Sequence, residues 1–321
     1  MTDGTLRNPH FDDDRVVWSD ELSGLYGPPP RPYSEQFDLQ WKLALENDPR
    51  YASHPGADID DAYINDRVYE WTGRHPDGNG FHDPSAGSRV LDHPLDPEII
   101  RGRECVDVGC GMGRWTKTML ALGAASVLSI DASEHALQSV SAFNKRVLQA
   151  DIMDLPATHP ELVEQFDFAC FWGVAMCTHD PRKAFASAAS LVTPGGSLYL
   201  MVYAPEGIHG QRITNAQRRQ FHRLQTVEER LAYVDHVHQR RWDRNCALTD
   251  NLRNLARNVL RRPEGGALGV LDMLQPYYNW VIPLDVIEGW VRATGFETMQ
   301  ILNESESPKA AYHVLATKPV G

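Results

Sequence analysis

The stretch Glu-Cys-Val-Asp-Val-Gly-Cys-Gly-Met-Gly-Arg, residues 104–114, decides the fold. Its first part, residues 105–108, is mainly apolar and β-branched, which predicts a short buried strand. Three alternating glycines follow, and residues 115–122 then carry apolar side chains at helical spacing, with Gly123 as the stop. A strand that turns through glycines into a helix is typical of nucleotide binding, because missing Cβ atoms allow close approach and the helix N-terminus offers unpaired N–H groups.

The spacing of the glycines narrows the class of nucleotide. The dinucleotide fingerprint Gly-x-Gly-x-x-Gly would need its third glycine at position 114, which is the bulky, charged Arg114. Here the glycines stand at 109, 111 and 113, and the acidic Asp107 lies two residues before the first of them. The spacing therefore excludes an NAD-dependent enzyme and favours a ligand without a pyrophosphate.

This pattern resembles motif I of the class I S-adenosylmethionine-dependent methyltransferases, whose cofactor carries an amino-acid tail where NAD carries phosphates. Later stretches match the same family in the same order, at residues 126–131, 147–152, 166–173 and 193–203. The resemblance to class I as a whole covers about 95–318. Shorter patches resemble a bacterial small-molecule methyltransferase subgroup, at residues 36–41, 71–73 and 271–296.

The order of predicted elements sets the fold class. From residue 95 to residue 202 predicted strands and helices alternate, which implies a parallel sheet with helices on both faces. The resemblance implies an α/β, Rossmann-like class I fold with a seven-stranded, mostly parallel sheet, whose last strand inserts antiparallel beside the fifth. We expect an N-terminal arm and lid helices over 1–94, a core over 95–204 and 281–321, and a helical cap over 205–280.

An acid at the end of the second predicted strand points to a ribose. Asp131 follows Gly113 by 18 residues, and a carboxylate at that strand end can accept hydrogen bonds from both ribose hydroxyls. The resemblance implies that Asp151 meets the adenine amine and that Ile152 covers the ring. The residues assigned to the cofactor are Asp107, Gly109, Cys110, Gly111, Gly113, Arg114, Asp131, Ala132, Asp151, Ile152, Trp172, Gly173 and, in the lid, Trp71 and Thr72.

Within this set, the resemblance implies separate parts for the loop and its two charged residues. The glycines pass under the methionine portion of the cofactor, and Asp107 orients the loop or the cofactor's amino group. Arg114 can serve the cofactor's carboxylate, or it can face solvent at the start of its helix.

The catalytic group is harder to find, because methyl transfer from a sulfonium depends largely on positioning, and a base is needed only where the acceptor holds a proton. The segment after the fourth predicted strand carries His179, which titrates near neutrality and can deprotonate a hydroxyl, or can cap the helix that follows. The family often has paired histidines where this chain has Met176 and Cys177. His209 is a second candidate base.

Aromatic residues in the lid and cap are candidates for an acceptor pocket. Packing in the core is the alternative for several of them. The candidates are Tyr33, Trp41, Tyr203, Tyr277, Tyr278 and Trp280.

The charge distribution bears on the partner. The chain of 321 residues has a net charge of −12, yet residues 206–263 hold twelve arginines against six acids. Those arginines form either a solvated appendage paired with acids elsewhere or a surface for an anionic substrate. Nucleic acid is disfavoured, since Lys-rich clusters and interleaved aromatics are missing there. Five cysteines without a Cys-x-x-Cys pair predict reduced thiols and no metal site.

The expected protein is a cytoplasmic S-adenosylmethionine-dependent methyltransferase of small molecules, acting at oxygen, in secondary metabolism or glycan-precursor biosynthesis. Neither an 18-residue apolar run nor a basic-then-apolar N-terminal signal occurs, so no membrane contact is expected. The sequence leaves open whether the chain forms a homodimer. The alternatives are a tRNA or protein methyltransferase and a non-catalytic, cofactor-binding partner subunit.

Overall fold

The computed structural model describes residues 17–29, 32–46, 59–74, 91–206, 215–239, 244, 248–249, 251–252 and 267–321. The strands are β1 Glu104–Val108, β2 Ser126–Asp131, β3 Val147–Gln149, β4 Phe166–Trp172, β5 Val192–Tyr203, β6 Thr298–Ile301 and β7 Ala311–Thr317. The main α-helices of the described residues are α1 Tyr33–Leu45, α2 Asp61–Thr72, α3 Arg114–Ala121, α4 Glu134–Ser141, α5 Leu155–Thr158, α6 Pro181–Ser190, α7 Asn215–Arg223, α8 Val227–His238, α9 Ala267–Leu274 and α10 Leu284–Ala293.

The strands form one sheet in the order β3-β2-β1-β4-β5-β7-β6. The first five strands pair in parallel, while β7 runs antiparallel between β5 and β6. The predicted Rossmann-like fold with a mostly parallel, seven-stranded sheet is therefore confirmed. Parallel strands are covered on both faces, and β1 and β4 accordingly consist almost entirely of buried residues.

Local signals place the ends of the core helices. Ser133 caps α4 by accepting a hydrogen bond from the backbone N–H of Ala136, the role that serine favours at the start of a helix. Pro181 occupies the first turn of α6, and the Asp180 carboxylate accepts a hydrogen bond from the N–H of Lys183. These helices connect strands whose carboxyl ends meet at one edge of the sheet.

Additional helices lie over that edge. An apolar cluster joins α1, α7, α8 and α9, with Leu43, Phe221, Val234 and Leu268 among its buried members. Hydrophobic burial on this scale is what holds amphipathic helices to a domain.

The polar, helical pattern of the sequence predicts one long helix over 217–241 and another over 248–260, and the first of these predictions is wrong. The chain breaks at Leu224–Thr226, where Thr226 and Glu229 form a capping box that starts α8. The second long helix expected there, over 248–260, lies largely outside the described residues. No helix in the described part of the chain is both long and apolar enough to cross a bilayer.

Candidate active site

A cavity of about 420 Å³ lies at the carboxyl ends of the parallel strands. Its walls come from the segments that follow β1, β2, β3 and β4 and from Tyr203 at the end of β5. Helices α1, α7 and α9 supply further parts of the walls. Open α/β sheets bind ligands at this edge, so the cavity is the candidate active site.

The glycine loop after β1 forms one wall, and its backbone demands glycine. Gly109 has φ +73°, and a Cβ there would overlap the Val174 side chain. Gly113 has φ +87°, and its Cβ would lie 2.6 Å from Cζ of Phe143. Gly109, Cys110 and Gly111 line the cavity, whereas Gly113 ends the turn as the N-cap of α3 and does not. The predicted contact of Gly113 with the cofactor is therefore corrected to a role in the turn.

Asp131 is held in place by the backbone around it. Its Oδ2 accepts a hydrogen bond from the N–H of Gly111 at 2.8 Å, and its Oδ1 accepts one from the N–H of Ser133 at 2.8 Å. Burial raises the pKa of the Asp131 carboxyl above its usual range, and the two backbone donors oppose that shift. Each carboxylate oxygen has a second lone pair, so Asp131 can still accept two hydroxyl donors.

The ends of β2 and β3 supply the next part of the wall. Ala132, Asp151 and Ile152 all line the cavity. The Asp151 Oδ1 accepts a hydrogen bond from the N–H of Met153 at 2.9 Å, which orients the carboxylate. An apolar side chain beside a fixed carboxylate suits a flat base that carries an amino group.

Arg114 also lies on the cavity wall rather than facing solvent. Its guanidinium stacks over the Trp172 ring, 4.5 Å from the centroid, in a cation–π contact. Trp172 and Gly173 line the same part of the cavity. This placement suits the predicted pairing of Arg114 with a cofactor carboxylate.

Asp107 is not among the cavity-lining residues. Its Oδ2 accepts a hydrogen bond from the Thr116 hydroxyl at 2.7 Å, and that hydroxyl lies 2.8 Å from the Ser129 hydroxyl. The network joins β1, β2 and α3 behind the glycine loop. Burial raises the pKa of the Asp107 carboxyl to about 7. Of the two predicted parts for Asp107, the geometry suits orientation of the loop rather than contact with an amino group.

A separate part of the wall carries polar groups from the later strands and the helices above them. It consists of Cys177, Tyr203, Arg218 on α7 and Asp272 on α9, all of which line the cavity. Burial raises the pKa of the Cys177 thiol to about 12 and raises the pKa of the Tyr203 hydroxyl as well, so both groups keep their protons at neutral pH. We call these four residues the polar wall.

Helix α1 closes the cavity over the glycine loop. Trp41 and Phe37 line the cavity, and a Cβ at Gly111 would lie 3.0 Å from the Trp41 ring. Gln36 fastens this helix to the following segment, because its Oε1 accepts a hydrogen bond from the N–H of Tyr277 at 2.8 Å. The prediction that Trp41 lines a pocket therefore agrees with the geometry.

Two residues predicted to contact the cofactor from the lid lie elsewhere. Trp71 is fully buried and stacks on Trp115 with ring centroids 4.4 Å apart, in the core between α2 and α3. The Thr72 hydroxyl donates to the Val68 carbonyl at 2.7 Å within its own helix. Neither lines the cavity, so their predicted contact with the cofactor is corrected to core packing and helix termination.

Three of the six aromatic residues predicted for the acceptor pocket belong to the core instead. Tyr277 stacks on His222, the Tyr278 hydroxyl donates to the Gly27 carbonyl, and the Trp280 indole donates to the Thr178 carbonyl. Tyr277, Tyr278 and Trp280 are therefore not lining residues of the cavity. Tyr203 does line it, and Tyr33 begins α1.

The first predicted base, His179, does not lie at the cavity. His179 is half-buried beside Tyr278 and is not a lining residue, and burial lowers its pKa. Its alternative role as a helix cap is also wrong, because Asp180 caps α6. His209 lies outside the described residues.

Sequence reasoning missed many of the lining residues, including several that tertiary packing brings to the cavity, such as Ser34, Phe37, Gln40, Cys177, Arg218, Asp272 and Asn279. For Arg218 the sequence did give an indication, because this residue belongs to the arginine-rich stretch 206–263 that could bind an anionic substrate. Among the described residues, no His, Cys, Asp and Glu side chains group so as to hold a metal ion.

The cavity fits S-adenosylmethionine in its donor set. A carboxylate is fixed at the end of β2, a carboxylate and an apolar side chain follow β3, and Arg114 adjoins the glycine loop. The fold and this site define a methyltransferase domain of the S-adenosylmethionine-dependent class. Residues 106–200 match the family described as "Methyltransferase domain", which confirms the predicted class and cofactor.

Curated relatives agree with the class but differ in what they act on. A mitochondrial ubiquinone biosynthesis O-methyltransferase of Dictyostelium discoideum is 27% identical over 32% of this chain and 35% of its own length. A tRNA U34 carboxymethyltransferase of Pseudomonas paraeruginosa is 35% identical over 37% of each chain. The chain thus spans little more than a third of the length of these relatives.

Similar solved structures include a putative methyltransferase from Haloferax volcanii, in complex with the Trm112 methyltransferase activator, and a possible histamine N-methyltransferase from Thermotoga maritima. The first is 13% identical, covers 90% of this chain and 99% of its own, and has a TM-score of 0.45. The second is 15% identical, covers 69% and 86%, and has a TM-score of 0.40.

Proposed function

We propose that the protein transfers the methyl group of S-adenosylmethionine to a hydroxyl of a small molecule, in secondary metabolism or the synthesis of glycan precursors. The observation that carries the proposal is one cavity that contains both the cofactor-type residues Asp131 and Asp151 and the separate polar wall. A macromolecular acceptor would need an open surface, whereas α1, α7 and α9 contribute to the walls of this cavity.

When bound, S-adenosylmethionine supplies a methyl group already activated on a sulfonium. The protein's part is then to orient the acceptor, to exclude water and to take up a proton. Asp131 and Asp151 hold the adenosine, and Arg114 holds the carboxylate of the methionine portion. Trp41 and Phe37 on α1 cover the cavity and exclude water.

Asp272 is the base of this proposal. It is the carboxylate of the polar wall, and the Cys177 thiol and the Tyr203 hydroxyl beside it keep their protons at neutral pH. A carboxylate can take the proton of the acceptor hydroxyl at Oδ1 or Oδ2 while the oxygen gains the methyl carbon; the bond from that carbon to the sulfonium sulfur would break, and S-adenosylhomocysteine would leave as the neutral thioether. Asp272→Asn should lower kcat about 10²-fold or more and leave the affinity for S-adenosylhomocysteine unchanged.

The acceptor class is tested by incubating the protein with methyl-labelled S-adenosylmethionine and two pools, a small-molecule cell extract and bulk tRNA. Label in the small-molecule pool that disappears with Asp272→Asn supports the proposal. Label in tRNA alone contradicts it and supports the RNA alternative. Cofactor binding without label in either pool contradicts it and supports a non-catalytic subunit.

A further inference from the structure

Arg218 is a charged residue of the polar wall to which the proposed chemistry assigns no role. It lies on α7, outside residues 106–200, and contributes to the cavity. Its side chain is only 3% exposed. Burying a guanidinium is costly unless something compensates the charge, so its retention inside a cavity calls for a partner.

Hydrogen bonds from the described residues do not satisfy all the donors of the Arg218 guanidinium. The hydrogen bond recorded there for Arg218 runs from its Nε to the Met273 carbonyl at 3.0 Å, on one side of the planar guanidinium. Asp272 interacts with it electrostatically, and burial lowers the pKa of Arg218 to about 10, which still leaves the group charged at neutral pH. Met273 thus fixes the stem while the Nη atoms retain donors for a ligand.

We propose that Arg218 binds a carboxylate group of the methyl acceptor, so that the substrate is a carboxylate-bearing small molecule such as a hydroxy acid. This inference rests on the proposed function, because it assigns the polar wall to the acceptor. The guanidinium presents two parallel N–H donors, which match the two oxygens of a carboxylate.

The charges on the polar wall favour a carboxylate over a phosphate. Asp272 lies on the same wall, and its negative charge acts on Arg218, Cys177 and Tyr203. Arg218 beside Asp272 is already close to neutral, so a bound carboxylate leaves a net charge of about −1 on this wall, whereas a phosphate monoester dianion would leave about −2. The apolar residues Trp41 and Phe37 in the same cavity suit an acceptor with an apolar or aromatic body.

The test uses benzoate and its uncharged counterpart benzamide as probes, titrated calorimetrically into the full-length protein saturated with S-adenosylhomocysteine. Benzoate should bind at least about tenfold more tightly than benzamide, as expected for one charge-assisted pair. Arg218→Met should abolish the difference and leave the affinity for S-adenosylhomocysteine unchanged. Arg218→Lys keeps the positive charge but lacks the two parallel N–H donors of a guanidinium, and it should retain part of the difference in affinity between benzoate and benzamide.

Arg219→Met is the matched control. It removes the same charge from the next position of α7, a residue that does not line the cavity, and should behave as the wild type. If Arg218→Met does not fold, the Arg218→Lys variant carries the comparison.

Three results would overturn the inference while leaving the proposed function intact. The first is benzoate binding no better than benzamide. The second is phenyl phosphate binding more tightly than benzoate. The third is loss of S-adenosylhomocysteine affinity in Arg218→Met, which would assign the arginine to the cofactor. A wild-type protein that does not bind S-adenosylhomocysteine would instead contradict the proposed function itself.

Discussion

The Asp38 carboxylate on α1 accepts a hydrogen bond from the Ser133 hydroxyl, with the two oxygens 2.8 Å apart. Ser133 also donates its backbone N–H to Asp131, so one residue links α1 to the carboxylate at the end of β2. The same Oδ1 of Asp38 lies 2.8 Å from Nδ1 of His135. The helix that covers the cavity is therefore fastened beside the group assigned to the ribose.

Removing this link should loosen α1 and weaken cofactor binding. Asp38→Ala deletes a part-buried acceptor shared by Ser133 and His135, and we expect the affinity for S-adenosylhomocysteine to fall by about 1–2 kcal/mol. Amide hydrogen exchange in α1 should accelerate as well. Glu35→Ala, an exposed position on the same helix, is the control. Equal affinities and equal exchange in all three proteins would refute a role for this link.

Trp71 should matter to stability and not to the cofactor. Because its ring stacks on Trp115 in the core, Trp71→Phe is expected to lower the free energy of unfolding by about 1–3 kcal/mol through the cavity it leaves. The affinity for S-adenosylhomocysteine should stay at the wild-type value. A stable variant that binds the ligand poorly would restore Trp71 to the cofactor site.

Asp107 should make stability depend on pH. Burial raises its pKa in the folded protein to about 7 from the model-peptide value of 3.8, so the folded state binds the proton more tightly than the unfolded state. This stability contribution is complete below the unfolded pKa and is lost as pH rises towards 7. The free energy of unfolding of Asp107→Asn, relative to wild type, should therefore rise by a few kcal/mol between about pH 4 and about pH 7.

Urea unfolding of both proteins across that range measures the difference. Thr116→Val is the companion variant, because it removes a hydroxyl whose hydrogen bond lowers the pKa of Asp107, and it should extend the pH dependence to higher pH. A constant difference between wild type and Asp107→Asn would show that Asp107 is not protonated in the folded state.

The part of the cavity proposed for the cofactor could be located from the sequence because it follows from strand ends. Asp131 is the last residue of β2 and Asp151 lies two residues after β3, and the carboxyl ends of parallel strands meet at one edge of the sheet. The spacing of the glycines also predicted the loop between β1 and α3. Local sequence was sufficient in these places, since each residue needs only its own strand or turn to reach the cavity.

The polar wall, which we propose for the acceptor, could not be predicted in the same way. Arg218 and Asp272 lie on α7 and α9, whose packing onto the sheet depends on contacts between distant segments. Tyr278 and Trp280 are as apolar as a pocket would require, but periodicity does not distinguish a side chain that faces a cavity from one that faces the core. Asn279, between them, is the residue that lines the cavity.

Calorimetric titration of S-adenosylhomocysteine into the wild type and into Asp131→Ala tests the central claim most directly. The wild type should bind one equivalent, and loss of the Asp131 carboxylate should weaken binding by about 1–3 kcal/mol. Asp154→Ala, an exposed acid paired with Lys183 on the surface, should bind as the wild type does. Failure of the wild type to bind, or equal affinity in Asp131→Ala, would contradict the assignment of this cavity to the cofactor.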